Sequence, residues 1–429
     1  MTATVASSRL RALSGALDQA FSSTSNGLII FAVAIVASPK VFGQITILIA
    51  FLVAVSACLR GGLGIPLLLT ANQPSEDLRR EGSRALAAAL AVSPFLSITM
   101  LFFTPQVGLA AVSLAVSAPL VLGQDVLRHV LMAVGRPHVA ALWDGISCLG
   151  TLLVLICSWL GLRFVTMGSV LGWWGFLALI AFVAMSVDLR LLPSMRGFIT
   201  WMKSGWQHRV RYAADAGLEQ IGVLLVLAIV STIVSSHATG ALRGAIALLA
   251  PIGIIAAAVQ IVMIPESVRR SASPDQVWRI LTRLGILVAC FTATYGLVFH
   301  ILPSSIGSYL LGDTFEASQR VLPFITAQYI AACLVVALSV FLRTFNRSVE
   351  ALWMKTAYTV TTLVAAIVSA LWLRSATGVA AGLAVSTAAV AVVAWIRLSP
   401  RQRQTPADRP VDDATCGRPR TVSSDTDDQ

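Results

Sequence analysis

Residues 17–47 read LDQAFSSTSNGLIIFAVAIVASPKVFGQITI. Asp18, Ser22, Ser25 and Asn26 stand at i, i+4, i+7 and i+8, with Gln19 and Ser23 on the neighbouring stripe. At helical spacing this makes one broad polar face. The run that follows, Leu28 to Ala37, holds no charge, and Ser38-Pro39 breaks it before a second apolar run starts at Val41. An acidic residue beside a long apolar run, with a proline turn into another such run, is the pattern of helices crossing a bilayer in opposite directions. Lipid does not tolerate the polar face, so it must look at protein or water.

The rest of the chain agrees. Of 429 residues, 57% are apolar and only 12% charged, and the mean hydropathy is +0.82. A soluble fold of this size could neither bury that much apolar surface nor keep its exterior wet. Soluble enzymes, disordered chains and fibrous repeats are excluded. Twelve apolar stretches are long enough to span. They cover about 13–37, 42–60, 84–103, 108–127, 139–160 and 168–188, then 213–235, 244–264, 284–302, 321–342, 356–373 and 377–396. With the N-terminus inside, 26 of the 31 Lys and Arg residues fall on the inner side, and five (Lys40, Arg163, Arg243, Arg320 and Arg374) outside. That asymmetry predicts an even number of spans with both termini cytoplasmic. It also accounts for the net charge of +11 without nucleic acid.

The halves echo one another. Ala16-Leu17-Asp18-Gln19 in span one matches Gly217-Leu218-Glu219-Gln220 in span seven. Gly135-Arg136 followed by Ala141-Leu142-Trp143 matches Asn346-Arg347 followed by Ala351-Leu352-Trp353, and Pro66 is echoed by Pro265. Offsets of about 200–210 residues with six spans between copies predict a parallel duplication: an all-α polytopic membrane protein of two six-helix lobes around a central cavity. The lobes are 1–188 and 213–397. The join, 189–212, mixes Phe198, Trp201, Met202 and Trp206 with Arg196, Lys203, Arg209 and Arg211, as an amphipathic interfacial helix does. Residues 398–429 read as a disordered cytoplasmic tail.

Each ionisable residue within a span needs a reason. Asp18, Gln19, Ser22 and Asn26 read as a cavity wall near the inner mouth, or as an interhelical hydrogen-bonding site. Asp215 and Glu219, at i and i+4 with Gln220 beside them, read as an ion-coupling pair or as partners of nearby arginines. Asp125, Arg128 and His129 cluster at the inner end of span four, and Asp144 lies early in span five. A local Asp–Arg pair is one reading of this cluster. The other is a cavity in which Arg60 and Arg128 hold an anionic headgroup that Arg243 meets on the outer side. The six cysteines carry no CxxC or metal spacing, and no cofactor or metal site is expected. GxSxG, HExxH and Walker patterns are absent, and so is a loop long enough for a catalytic domain, so no enzymatic activity is expected.

The opening stretch resembles that of the polysaccharide-exporting flippases: an acidic-Gln pair, a Ser/Asn stretch, an apolar run, then Ser38-Pro39-Lys40-Val41-Phe42-Gly43. The run Gly240-Ala241-Leu242-Arg243-Gly244-Ala245, with Pro251 and Pro265-Glu266, is similar to the same family. These are the O-antigen and teichoic-acid exporters of the multidrug/oligosaccharidyl-lipid/polysaccharide flippase superfamily. The resemblance implies alternating access. It implies a polyprenyl (pyro)phosphate-linked oligosaccharide carried across a bacterial cytoplasmic membrane, its phosphate on cavity arginines. It further implies H+ or Na+ coupling, and glycosyltransferases or a polymerase of the same pathway as partners. The alternatives are a multidrug/cation antiporter of the same superfamily and a non-transporting scaffold of a glycan-assembly complex. The loop 72–82, NQPSEDLRREG, does not match the major-facilitator pattern.

Overall fold

A computed structural model describes residues 2–70, 74–255, 273–345 and 347–398. The described residues contain no strand. α1 runs from Thr2–Val36, and Ser38-Pro39 turns the chain into α2, Pro39–Leu59. Proline fits there because the first helical position has no use for an N–H. α2 widens into a π-helical turn at Arg60–Gly64 and ends with Ile65–Leu69. α3 (Ser75–Leu101), α4 (Leu109–Ala133), α5 (Pro137–Trp159) and α6 (Met167–Leu189) complete the first half. A short α7 (Phe198–Ser204) leads to α8 (Trp206–Ile229), which passes through a second π-turn, Val230–Val234, into α9 (Ser236–Leu248). α10 (Pro274–Ile301), a short α11 (Ser304–Leu311), α12 (Phe315–Thr344), α13 (Ser348–Leu373) and α14 (Ala376–Leu398) follow.

Eleven helices among the described residues are long and apolar enough to cross a membrane, so this is a multi-pass membrane protein. The twelfth expected span, 244–264, is described only to residue 255. Its helix begins eight residues earlier than hydropathy suggested, because the Ser235 hydroxyl accepts from the Ala238 N–H at 3.1 Å and caps α9. Pro265, Glu266, Asn346 and the tail from 399 lie outside the described residues.

Helix packing repeats between the halves. In the first, α1 packs on α5, α4 on α3 and α6, and α5 on α6. In the second, α8 packs on α13, α12 on α10 and α14, and α13 on α14. The two halves meet where α2 lies along α8 and α9. Glycines permit the close approach. A Cβ on Gly43 would run into the Ser236 carbonyl, one on Gly240 would sit 2.6 Å from the Pro39 oxygen, and one on Gly61 would strike Tyr212. At the end where α1 finishes, Gly312 backs against Ala34 and Ile35, and the Trp159 indole N–H donates to the Tyr309 carbonyl.

The join differs from a single interfacial helix. Residues 206–212 already form the first two turns of α8. The preceding stretch is strapped to the start of α3: the Ser194 N–H donates to the Ser83 carbonyl at 3.1 Å and Arg84 Nε to the Arg196 carbonyl at 3.0 Å. Trp201 is buried beneath the Arg209 guanidinium, which stacks 3.7 Å from its ring centre.

Candidate functional site: one cavity position, two chemistries

Arg128 is the centre of the first half. α4 carries it inward, and its side chain is only 6% exposed. Its guanidinium reaches Asp18 Oδ2 of α1 at 2.6 Å, Asp144 Oδ2 of α5 at 3.0 Å and Asp125 Oδ1, one turn back on α4, at 3.3 Å. It also donates to the Ser22 hydroxyl at 3.0 Å. Asp125 in turn accepts from the Ser56 hydroxyl at 2.9 Å and from Arg60 Nε at 3.2 Å, and Gln124 donates to Asp144 Oδ1 at 3.0 Å. His129 holds its Nδ1 2.7 Å from the Asp125 carbonyl. Buried charges persist only when paired in this way, and removing one partner of such a pair costs about 3–5 kcal/mol.

Beside this network lies a cavity of about 90 Å³, walled by Ser22, Ser25, Asn26, Ser56, Arg60, Gln124, Asp125, Arg128, Asp144, Ser147 and Trp174 among others. That volume has room for several waters. Asp18 itself sits behind Arg128 rather than on the wall, fully buried, with its Oδ1 unpartnered among the described residues. Gln19 bonds Ser23 at 3.2 Å and does not line the cavity. Arg60 keeps a 40% exposed side chain, with only its Nε engaged by a carboxylate.

The second half holds a larger cavity, about 400 Å³, lined by Glu219, Val223, Val226, Leu227, Gln328, Tyr329, Ala332, Cys333, Tyr358, Thr359 and Thr362, with further apolar residues. It occupies the same place in the repeat. The 201-residue register of α1 on α8 sets Asp18, Ser22, Ser25 and Asn26 on Glu219, Val223, Val226 and Leu227. A register of 204 sets Gln124, Asp125 and Arg128 of α4 on Gln328, Tyr329 and Ala332 of α12. The Trp143–Trp353 register sets Asp144 on Met354. Six of these pairs, Ser22/Val223, Ser25/Val226, Asn26/Leu227, Gln124/Gln328, Asp125/Tyr329 and Arg128/Ala332, line both cavities, whereas Asp18 and Met354 lie off the walls; the first wall carries charged and hydroxyl groups and the second mostly apolar ones.

The remaining sequence-expected residues are dispersed. Asp215 and Glu219 have different surroundings: Lys355 donates to the Asp215 carbonyl and stands 3.8 Å from its carboxylate, while Glu219 is exposed at the second cavity. Gln220 lines neither cavity. Arg243, on α9 beside Tyr329, has a buried Nε with no hydrogen-bond partner among the described residues. Gln328, Tyr329 and Tyr358 escaped the sequence reading. Gln328-Tyr329 interrupts an apolar run just as Asp18-Gln19 does, which is the signal that could have found them. Among the described residues no group of three or more His, Cys, Asp or Glu is placed to hold a metal.

No family model matches the sequence, and no curated protein does. Solved structures do. One in the inward-facing conformation, of a multidrug resistance MATE family transporter of the MOP superfamily, aligns with a TM-score of 0.64 at 13% identity, covering 90% of this chain and 96% of that one. An outward-facing structure of such a transporter gives 0.59 at 14%, covering 90% and 94%. A MOP superfamily transporter from Pyrococcus furiosus Vc1, described by the reverse polarity of its binding pocket, gives 0.55 at 15%, covering 90% and 94%. The chain therefore has the two-lobed, all-helical fold seen in the MATE transporters of the MOP superfamily.

Proposed function

We propose that this protein is an alternating-access transporter of that superfamily, and that it carries a polyprenyl (pyro)phosphate-linked oligosaccharide from the inner to the outer leaflet of a bacterial cytoplasmic membrane. The observation that carries the reading is the split between the duplicated cavities. A substrate with a polar and an apolar end meets a wall of each kind in one molecule. Arg60, near the end where α2 finishes, and Arg243, on the first turns of α9, lie toward opposite ends of the helices. Each has guanidinium nitrogen not engaged by a carboxylate, so each can accept the anionic headgroup in turn. Arg128 cannot, because its nitrogens are held by three aspartates. The basic bias of the loops supports cytoplasmic termini. Closure at the Gly312 and Trp159 end supports a conformation open toward the inner side.

The experiment is depletion of the protein followed by analysis of polyprenyl-linked saccharides. Accumulation of one lipid-linked oligosaccharide, with loss of its polymer outside, supports the reading. Arg60→Ala and Arg243→Ala, at normal expression, then lower export at least tenfold. One observation favours a second reading, a multidrug/cation antiporter. The larger cavity is mostly apolar, and Glu219 is the one charged residue on its described wall, a setting for an amphipathic cation. An unchanged lipid-linked pool together with altered drug susceptibility selects it.

A further inference from the structure

The oxygens around Arg128 form a cradle. Asp18 Oδ2, Asp144 Oδ2, Asp125 Oδ1 and Ser22 Oγ converge on it from α1, α4 and α5 at 2.6–3.3 Å. Carboxylate and hydroxyl oxygens are the donors that hard metal cations take. Here the enclosed place is filled by a cation covalently attached to α4. Its planar fork answers all three carboxylates at once, which a lysine point charge would not do as well. Counting Asp18, Asp125 and Asp144 against Arg128 and Arg60 leaves one formal negative charge. Asp18 Oδ1, on a side chain with no exposure, lacks a hydrogen-bond partner among the described residues. Na+ needs several oxygens around an empty centre, and this centre is taken.

We infer that Arg128 is a tethered cation occupying the place a monovalent metal ion would otherwise take, so that the first half binds no Na+. The repeat supplies the contrast: the equivalent position is Ala332, and among the described residues Glu219 is the one carboxylate on its cavity's wall. Exclusion of Na+ is a property of the folded protein and is tested without substrate.

The full-length purified protein is unfolded thermally in about 100 mM NaCl and in choline chloride of equal ionic strength. The wild-type midpoint is expected to agree between the two salts within about 1 °C. Arg128→Met opens the cradle, and its midpoint rises by about 2 °C or more in Na+. Arg128→Lys keeps a tethered cation and stays insensitive. If Arg128→Met does not fold, Arg128→Met/Asp144→Asn, with one buried carboxylate fewer, carries the same test. A Na+-dependent rise in the wild type overturns the inference, as does a folded, opened variant that ignores Na+. A failed export assay would sink the transport reading and leave these salt measurements standing.

Discussion

Gly108 and Gly312 hold the same backbone conformation 204 residues apart, with φ +59°, ψ −137° and φ +52°, ψ −142°. Only glycine occupies that region readily. Each precedes a helix with a proline eleven residues further on, Pro119 in α4 and Pro323 in α12. Each also follows a short helical segment, Thr104–Val107 or α11. The duplication is thus written in the backbone where side-chain identity has faded.

The two glycines are not equally costly to change. Gly108→Ala meets open space and bears only the backbone strain, about 1–3 kcal/mol. Gly312→Ala bears that strain and also places its Cβ 2.9 Å from the Ala34 carbonyl oxygen. The expected order of unfolding midpoints is wild type, then Gly108→Ala, then Gly312→Ala. A reversal would separate the repeat from the contact between halves.

Asp18→Asn is expected to insert normally and to reduce export, since the amide can still accept from Arg128 but carries no charge. Arg128→Met costs about 3–5 kcal/mol, because three buried carboxylates lose their partner. A double-mutant cycle on unfolding gives a coupling of at least about 1 kcal/mol between positions 18 and 128. Additive effects would mean that the 2.6 Å contact is energetically idle.

Gly43→Ala and Gly240→Ala attack the closest approach of the halves. Each adds a methyl where the opposing atom is backbone, the Ser236 or Pro39 carbonyl, and backbone cannot rotate away. Loss of about 2 kcal/mol or more is expected for each. Conversely, Gly15→Ala meets nothing within 4 Å and leaves the unfolding midpoint within about 1 °C.

Glu219→Gln tests the larger cavity. The side chain is exposed and lacks an ion-pair partner among the described residues, so the unfolding midpoint stays within about 1 °C. Transport falls if Glu219 contacts substrate. Unchanged rates for both glycolipid and cationic compounds would remove this carboxylate from the site.

Asp18 was legible because a charge inside an apolar run is expensive wherever it occurs. Its partner was not. Arg128 lies 110 residues away, and pairing between helices leaves no trace in local periodicity. The sequence leaves Arg128 open as a headgroup ligand because it does not show how many carboxylates already hold it. The start of α8 was placed late, at 213 rather than 206, for a different reason. Helices are extended by hydrogen bonds, whereas hydropathy registers only the part that sits in lipid. Hydropathy likewise missed that Ser235 is a cap. The equivalence of the cavities rests on two different offsets, 201 for α1 on α8 and 204 for α4 on α12, while the α5 and α13 motifs stand 210 apart. No single alignment shift displays it.

The Asp18–Arg128–Asp144 network fastens α1, α4 and α5 to one another through charges that cannot part inside a membrane without large loss. The matching helices of the second half surround about 400 Å³ of space instead. Packed, cross-linked matter resists deformation and hollow matter yields. Any relative movement of the two halves would therefore meet a braced first half and a yielding second. A molecule that filled the space beside Tyr329 and Tyr358 would stiffen that half.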